Sequence, residues 1–217
     1  MDTAVTDIDE LPFTSLLWSD LAPVFTKVMR HPFLTGLMDG TLPRECFWHY
    51  IVQDAHYLRG YSRVLSLCAS KADPSPDVVM FARHATQAVA AERELHASLL
   101  AELGSSAELA EAEPVGPTTQ AYLDFLLAVA YSGSYGEAVG AVLPCYWIYA
   151  KVGAELRAVG SRDPLYARWI EAYGDADFQR STQEVLAAVD AVGARVADGE
   201  RLRIRSRAQA AARYEWM

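Results

Sequence analysis

The segment EAVGAVLPCYWIYAKVG, residues 137–153, reads as an α-helix that carries a proline and a cysteine side by side. Pro144 removes one i→i−4 hydrogen bond and bends the helix axis. This frees a backbone carbonyl near residue 140 and opens space beside Cys145. Tyr149 follows Cys145 by one turn, so the two side chains lie on the same face. The segment therefore predicts a buried helix whose cysteine either fills an irregular part of the core or borders a cavity.

The helical spacing of apolar residues recurs along nearly the whole chain, while the alternation typical of strands is almost absent. Segments rich in glycine and proline, such as MDGTLP at 38–43 and ADPSPD at 72–77, separate the periodic stretches. We predict helices at residues 13–30, 43–71, 76–104, 117–132, 134–159, 163–173, 175–197 and 199–216. Residues 1–12 are expected to form a flexible N-terminal tail and residues 13–217 a single domain. The predicted fold class is an all-α bundle that encloses a central pocket.

Composition argues against several classes of partner. The chain has 19 Lys and Arg against 28 Asp and Glu, and its net charge of −9 does not suit nucleic-acid binding. Its basic cluster, ERLRIRSRAQ at 200–209, reads as one face of a helix. The longest uncharged apolar run, residues 138–150, is too short to span a membrane. The cysteines are odd in number and form no CxxC, and the acidic opening segment is unlike a secretory signal, so we expect a cytoplasmic protein with free thiols.

Asp54 lies in the middle of the apolar stripe of the helix predicted at 43–71. It is four residues after Tyr50 and three before Tyr57, so the three side chains share one face. A carboxylate on a core-facing stripe is costly unless it is paired or hydrogen-bonded. Either an arginine, a helix N-terminus or a tyrosine hydroxyl satisfies Asp54 inside the core, or the carboxylate binds a ligand.

Two further residues have both an ordinary and a functional interpretation. A lone cysteine such as Cys145 is usually a small core residue, because reactivity needs some exposure and a neighbour that stabilises the thiolate. Glu215, in the terminal ARYEWM, opposes the dipole of its helix, and its aromatic neighbours Tyr214 and Trp216 indicate that this end is docked. The ordinary interpretation of Glu215 is a solvated side chain. The sequence also leaves open a Cys–His pair, because nothing selects one of the five histidines.

The segment AERELHASL, residues 91–99, raises the question of a metal. Glu92 and His96 are spaced i, i+4, which suits two ligands of one ion. A helical di-iron site needs several more carboxylates and histidines, and no second pair of this kind follows. We therefore favour a Glu–His hydrogen bond here and predict no metal.

Two longer segments resemble the TenA, or thiaminase II, family. HPFLTGLMDGTLPRECFWHYIVQDAHYLRGYSRV, at 31–64, is similar to the segment that opens that family, and 137–153 is similar to the segment bearing its nucleophilic cysteine. WIEAYGDADF at 169–178 and the terminal YEWM also fit. The resemblance extends from about residue 13 to the end of the chain. It implies a haem-oxygenase-like helical bundle, usually assembled as a homotetramer.

The resemblance also implies roles for individual residues. Cys145 matches the catalytic cysteine of the family. The chain therefore resembles the branch of the family that contains this cysteine. Asp54 matches the carboxylate that holds the aminopyrimidine ring, and Glu215 matches the carboxylate that handles the proton of the leaving group. Four tyrosines match residues that stack on the substrate or hydrogen-bond around it: Tyr57, Tyr122, Tyr149 and Tyr173.

The family implies a hydrolase that serves thiamin salvage without a metal or an organic cofactor. It would release 4-amino-5-hydroxymethyl-2-methylpyrimidine from the corresponding aminomethyl compound through a cysteine adduct, with thiamin as a second candidate substrate. The expected partner is thus a small pyrimidine, and neither nucleic acid nor a membrane. Two alternatives stay open: a non-catalytic protein that binds an aminopyrimidine, and a metal-dependent oxidase on the same fold that uses Glu92 and His96.

Overall fold

The computed structural model describes residues 11–73, 75–91 and 96–217. These ranges contain helices and no β-strand, which confirms the predicted all-α class. None of the described helices is both long enough and apolar enough to cross a membrane. The helices are α1 (Phe13–Met29), α2 (Pro32–Asp39), α3 (Arg44–Lys71), α4 (Ser75–Ala91), α5 (Ala97–Glu102), α6 (Ala107–Ala112), α7 (Pro117–Ser132), α8 (Tyr135–Val159), α9 (Pro164–Gly174), α10 (Ala176–Gly193) and α11 (Asp198–Trp216).

Helix α8 forms the centre of the bundle and contains the segment 137–153. It packs against α3, α7, α9, α10 and α11, and every residue from 136 to 144 is buried. A helix that is apolar on all sides suits such a position. Its first turn is fixed by a capping box, in which the Ser134 side chain accepts from the Glu137 N–H and the Glu137 carboxylate accepts from the Ser134 N–H. Helix α8 continues through Pro144 without interruption.

Most helix boundaries agree with the sequence prediction. The ends of α1, α3, α7, α8, α9 and α11 lie within one residue of the predicted ends. Helix α10 ends earlier than predicted, at Gly193, where the Arg201 guanidinium donates to the last carbonyl. The helix predicted at 76–104 appears as α4 and α5 on either side of residues 92–95, which lie outside the described residues.

Two short helices, α2 and α6, are absent from the sequence prediction. The His31 side chain accepts from the Phe33 N–H at the start of α2, and Gly40 ends it with φ 71°. Ser106 caps α6 in the same way, by accepting from the Leu109 N–H. Each helix is held by its cap and by packing, because segments of this length have little helical stability of their own. Apolar periodicity is therefore a weak signal for them.

Two glycines of α8 allow neighbouring helices to approach its backbone. A Cβ atom at Gly140 would lie 3.1 Å from the carbonyl oxygen of Ile204 in α11. A Cβ atom at Gly153 would overlap the carbonyl group of Tyr173 in α9. Because no side chain separates these helices at the two contacts, α8 fixes the positions of the residues that α9 and α11 carry.

Gly153→Ala is expected to lower the free energy of unfolding by about 1–3 kcal/mol, because the added methyl group must displace the α9 backbone. Urea denaturation measures the change. Gly199→Ala is the matched control, since Gly199 is an exposed residue of α11 where a Cβ atom would meet only the end of the Arg203 side chain, at 3.9 Å. The control should be as stable as the wild type or more stable by up to about 1 kcal/mol. Equal stability of Gly153→Ala and wild type would contradict the close contact.

Candidate active site

The seven residues that the resemblance selects come together around two adjoining cavities. Asp54, Tyr57 and Tyr149 line both cavities and form the wall they share. We call the first the thiol cavity, because Cys145 and Tyr173 line it, and its volume is about 280 Å³. We call the second the carboxyl cavity, because Glu215 and Tyr122 line it, and its volume is about 410 Å³. These residues come from α3, α7, α8, α9 and α11, so the site exists only in the folded chain.

Cys145 is partly buried and faces the thiol cavity, so it is not a fully buried core residue. Burial raises the pKa of its thiol well above the usual value, and the nearby Glu215 carboxyl acts in the same direction. The neighbouring Tyr57 and Tyr61 hydroxyls partly offset this rise. The resting thiol is therefore protonated at neutral pH, and a nucleophile forms only if the proton is transferred.

The tyrosines beside the thiol are themselves constrained by burial and stacking. The Tyr61 hydroxyl donates to the Val142 carbonyl in α8 over 3.0 Å, two residues before Pro144. The Tyr57 hydroxyl is buried and has no well-formed hydrogen bond to any described residue. It nevertheless lies near enough to Cys145 to lower the pKa of the thiol. Tyr57 stacks on Tyr61 and also on Tyr122, with ring centroids 5.2 Å apart in both pairs. The aromatic wall is thus continuous from one cavity to the other.

Asp54 is held by a partner that sequence analysis did not assign to it. His96 Nε2 lies 3.0 Å from Asp54 Oδ2, and the Tyr173 hydroxyl donates to the same oxygen over 3.4 Å. The Asp54 side chain is 10% exposed and that of His96 is 4% exposed. Both of these hydrogen bonds are made to Oδ2, and among the described residues none is made to Oδ1. Asp54 is therefore hydrogen-bonded by protein groups and also lines both cavities, so its position is consistent with both interpretations.

His96 could be found from sequence only as one half of the pair with Glu92. Glu92 lies outside the described residues, so that pairing and the oxidase hypothesis that uses it lie outside them too. Within the described residues, no group of three or more His, Cys, Asp and Glu side chains is arranged to hold a metal ion. The contact between His96 and Asp54 joins residues 42 positions apart, and no local pattern marks it.

Glu215 is docked against α7 by its carboxylate and by the ring beside it. The Tyr122 hydroxyl donates to Glu215 Oε1 over 2.5 Å, and the Tyr214 and Tyr122 rings stack with their centroids 5.0 Å apart. Burial raises the pKa of Glu215 to about 8, while the hydrogen bond from Tyr122 acts to lower it and the Asp54 charge to raise it. Glu215 is thus largely protonated at neutral pH and can donate a proton. The expectation that the end of the chain is docked agrees with this arrangement.

Tyr149 and Tyr173 form the remaining aromatic part of the wall. Their ring centroids are 4.8 Å apart with an angle of 37° between the planes. The hydroxyl oxygens of Tyr149 and Tyr50 lie 3.3 Å apart, which connects Tyr149 to α3. The two adjoining cavities, which we together call the chamber, are largely apolar and are lined by a thiol, carboxyl groups and several tyrosine rings.

The fold and these two cavities define a class of protein, a haem-oxygenase-like helical bundle with internal cavities. A domain from Shewanella denitrificans OS217, described as having a heme oxygenase-like fold, has 15% sequence identity and a TM-score of 0.74, and it covers 98% of this chain and 90% of its own. The TENA/THI-4/PQQC family model matches residues 18–217. The chain therefore belongs to the TENA/THI-4/PQQC family.

Individual relatives agree with this assignment. The aminopyrimidine aminohydrolase of Bacillus subtilis is 31% identical over 186 residues, which are 86% of this chain and 79% of that protein. The thiamine biosynthesis multifunctional protein ThiED of Corynebacterium efficiens is 39% identical over 184 residues, 83% of this chain. The match covers only 24% of the Corynebacterium protein, so the chain corresponds to about a quarter of that relative. Among solved structures, the TenA homologue from P. horikoshii OT3 has a TM-score of 0.86 and 29% identity, with 95% of both chains covered.

His96→Leu is expected to lower the free energy of unfolding by about 1–3 kcal/mol, because the buried Asp54 carboxylate loses a donor. His96→Gln should cost less, since the amide N–H can still reach the carboxylate. Urea denaturation of both variants measures the difference.

The control for this pair is a double-mutant cycle with Asp54→Asn. In the Asp54→Asn background the cost of His96→Leu should shrink, because the charged acceptor is already gone. If His96→Leu costs the same in both backgrounds, the hydrogen bond does not stabilise the fold.

Proposed function

We propose that this chain is a hydrolase that removes the amine from 4-amino-5-aminomethyl-2-methylpyrimidine and so releases the 5-hydroxymethyl compound. The observation that carries the proposal is the arrangement of Cys145, Asp54 and Glu215 around one aromatic chamber. The name of the Bacillus subtilis relative, aminopyrimidine aminohydrolase, supports the same substrate class. Thiamin is a second candidate substrate, and the natural role that we propose is the salvage of thiamin breakdown products.

Substrate binding would use the shared wall of the two cavities. A flat pyrimidine ring suits the space beside the Tyr149 and Tyr173 rings. Contact with these rings would remove the two faces of the pyrimidine from water. Asp54 would accept through Oδ1 from the amino group of the pyrimidine, and from the adjacent ring nitrogen once that nitrogen is protonated, while His96 and Tyr173 donate to Oδ2. This division of the two carboxylate oxygens supports Asp54 as the group that orients the ring.

The chemistry requires a nucleophile because the pyrimidine has no carbonyl group to attack. Addition of the Cys145 sulfur to a ring carbon breaks the aromaticity of the ring and forms a C–S bond. The electrons of the ring then expel the leaving group from the methylene carbon. Water adds to this carbon, and elimination of the sulfur restores the aromatic ring and the thiol. The position of Cys145 on the wall of the thiol cavity supports this role.

Glu215 would supply the proton that the departing amine takes up. Its pKa of about 8 makes it a proton donor at neutral pH, and Tyr122 fixes the direction of its carboxyl group. After the amine leaves, the resulting carboxylate can accept a proton from the attacking water, which returns Glu215 to its starting state. One carboxyl group would thus serve as acid and then as base.

Three expectations from sequence remain predictions beside this proposal. They are the homotetrameric assembly, the cytoplasmic location and the division into a tail at 1–12 and a domain at 13–217. The family match over residues 18–217 supports the domain assignment.

Cys145→Ser is expected to reduce turnover of the aminomethylpyrimidine by about a thousandfold or more, because a hydroxyl group cannot replace the thiolate. Mass spectrometry of the products measures turnover, and isothermal titration calorimetry measures binding of the hydroxymethyl product. Binding should survive, since the groups that orient the ring are unchanged.

Cys68→Ala provides the matched control, because Cys68 is a free, buried cysteine that lines neither cavity. It should retain the turnover of the wild type. Near wild-type turnover by Cys145→Ser would rule out the covalent route. A wild-type protein that binds the pyrimidine but converts neither substrate would favour the non-catalytic alternative.

The pH dependence of kcat/KM should report Glu215. Because the protonated form is the donor, kcat/KM is expected to fall as pH rises through about 8. Glu215→Gln should abolish this alkaline limb and reduce the rate by about 10²–10⁴-fold. Tyr122→Phe should move the limb to higher pH, because it removes the hydrogen bond that lowers the pKa of Glu215.

The control for the pH profile is Glu155→Gln, which neutralises an exposed glutamate on α8. Its profile should match that of the wild type. An alkaline limb that persists unchanged in Glu215→Gln would assign the limb to another group.

A further inference from the structure

The proposed reaction leaves one proton without a destination. The Cys145 thiol is protonated in the resting protein and must lose its proton before or as the sulfur attacks. Glu215 is itself largely protonated at neutral pH, so it is a poor acceptor at this stage. A further base is present among the residues that line the thiol cavity.

His84 of α4 is such a base, and the reaction described so far does not use it. It is buried, with 3% of the residue exposed, and it lines the same cavity as Cys145. Its Nδ1 atom lies 3.1 Å from the Tyr146 hydroxyl, and its Nε2 atom lies 2.9 Å from Glu184 Oε2. The three side chains come from α8, α4 and α10 and form a hydrogen-bonded Tyr–His–Glu row.

Charges around the row determine which imidazole nitrogen carries the proton. Burial alone would raise the pKa of Glu184, but its hydrogen bonds with Arg83 and His84 lower it, so Glu184 is a carboxylate. A carboxylate accepts from Nε2–H, which leaves Nδ1 as an acceptor for the Tyr146 hydroxyl. Burial lowers the pKa of His84 despite Glu184, so the resting ring is neutral. The lone pair on Nδ1, which accepts the hydrogen bond from Tyr146, can therefore take up one more proton.

Tyr146 connects this row to the thiol. It follows Cys145 directly in α8 and lines the thiol cavity. The Tyr61 hydroxyl donates to Val142 in α8, and it lies within hydrogen-bonding reach of both the Cys145 thiol and the Tyr146 hydroxyl. The hydroxyls of Tyr61 and Tyr146 therefore provide the polar path from the sulfur to His84.

We propose that His84, held between Tyr146 and Glu184, receives the proton that the Cys145 thiol loses when its sulfur adds to the pyrimidine. The S–H bond breaks as the C–S bond forms, and the proton moves through the tyrosine hydroxyls to Nδ1. The imidazolium is then stabilised by Glu184, whose side chain is 32% exposed and is also paired with Arg83. When the sulfur leaves the ring, the proton returns by the same path. His84 acts through Tyr146 and is a positioning residue, and the inference rests on the proposed function.

The groups that face this path come from several helices and all influence its titration. Arg83, Glu184 and Tyr146 surround His84, and the thiol is faced by Asp54, Tyr57, Tyr61 and Glu215. A test must therefore separate the effect of His84 from a general change in the cavity. His84→Gln does so, because the Gln side chain can accept from Tyr146 and donate to Glu184 but cannot take up a proton.

The experiment follows alkylation of Cys145 by iodoacetamide without substrate, from about pH 6 to pH 10, a range that brackets the ordinary pKa of a thiol. Mass spectrometry of the peptide that carries Cys145 separates it from Cys46 and Cys68. His84→Gln should slow alkylation by about tenfold or more below pH 9, which corresponds to a rise of about one unit in the apparent pKa of the thiol. It should also lower kcat by a similar factor and leave KM within about twofold of the wild type.

Tyr146→Phe breaks the same path at another point and should give the same pH profile. It also serves as the test if His84→Gln does not fold. Tyr135→Phe is the matched control, because Tyr135 also lies on α8 and donates to α4, at Asp77 over 2.8 Å, but lines neither cavity. Its alkylation profile should match that of the wild type.

The outcomes separate this inference from the proposed function. If folded His84→Gln and Tyr146→Phe alkylate like the wild type at every pH, the proton path is wrong, whatever the activity of the wild type. If both variants shift the profile but the wild type converts no pyrimidine, the proton path stands and the proposed reaction is wrong. A shift of the same size in Tyr135→Phe would also overturn the inference, since it would show a general effect of losing a buried hydroxyl group.

Discussion

Burial of ionisable groups around one apolar chamber is the constraint on which the rest of this site depends. The thiol of Cys145 and the carboxyl group of Glu215 both lie where charge is costly, so burial keeps both protonated at neutral pH. Asp54, on the wall between the two cavities, is hydrogen-bonded by His96 and Tyr173. Glu215 can therefore donate a proton at neutral pH, whereas the Cys145 thiol must lose a proton before its sulfur can act as a nucleophile.

The helical framework makes this burial possible because α8 contacts its neighbours backbone to backbone. Gly140 and Gly153 leave no side chain between α8 and the helices that carry Glu215 and Tyr173. The carboxyl group, the thiol and the ring are thus brought to one chamber by contacts that lie outside it. Stability of the bundle and geometry of the site are consequently linked through the same few contacts.

Sequence patterns predicted some parts of this arrangement and missed others for identifiable reasons. Periodicity placed most helices to within one residue, because long amphipathic or buried segments repeat the signal many times. It missed α2 and α6, where a cap and tertiary packing replace that signal. The position of Asp54 on an apolar stripe marked it as unusual, but its partner His96 was invisible, because the contact joins residues far apart in the chain.

The sequence alone determined the all-α class, the core-facing position of Asp54 and, through resemblance to a family, the choice of Cys145 and Glu215. It could do so because apolar spacing and short motifs are local properties of the chain. Only the tertiary structure decided which groups surround the thiol, that Glu215 is hydrogen-bonded to Tyr122, and that His84 joins Tyr146 to Glu184. Proton affinities depend on burial and on neighbours from distant helices, and these are properties that a linear sequence does not specify.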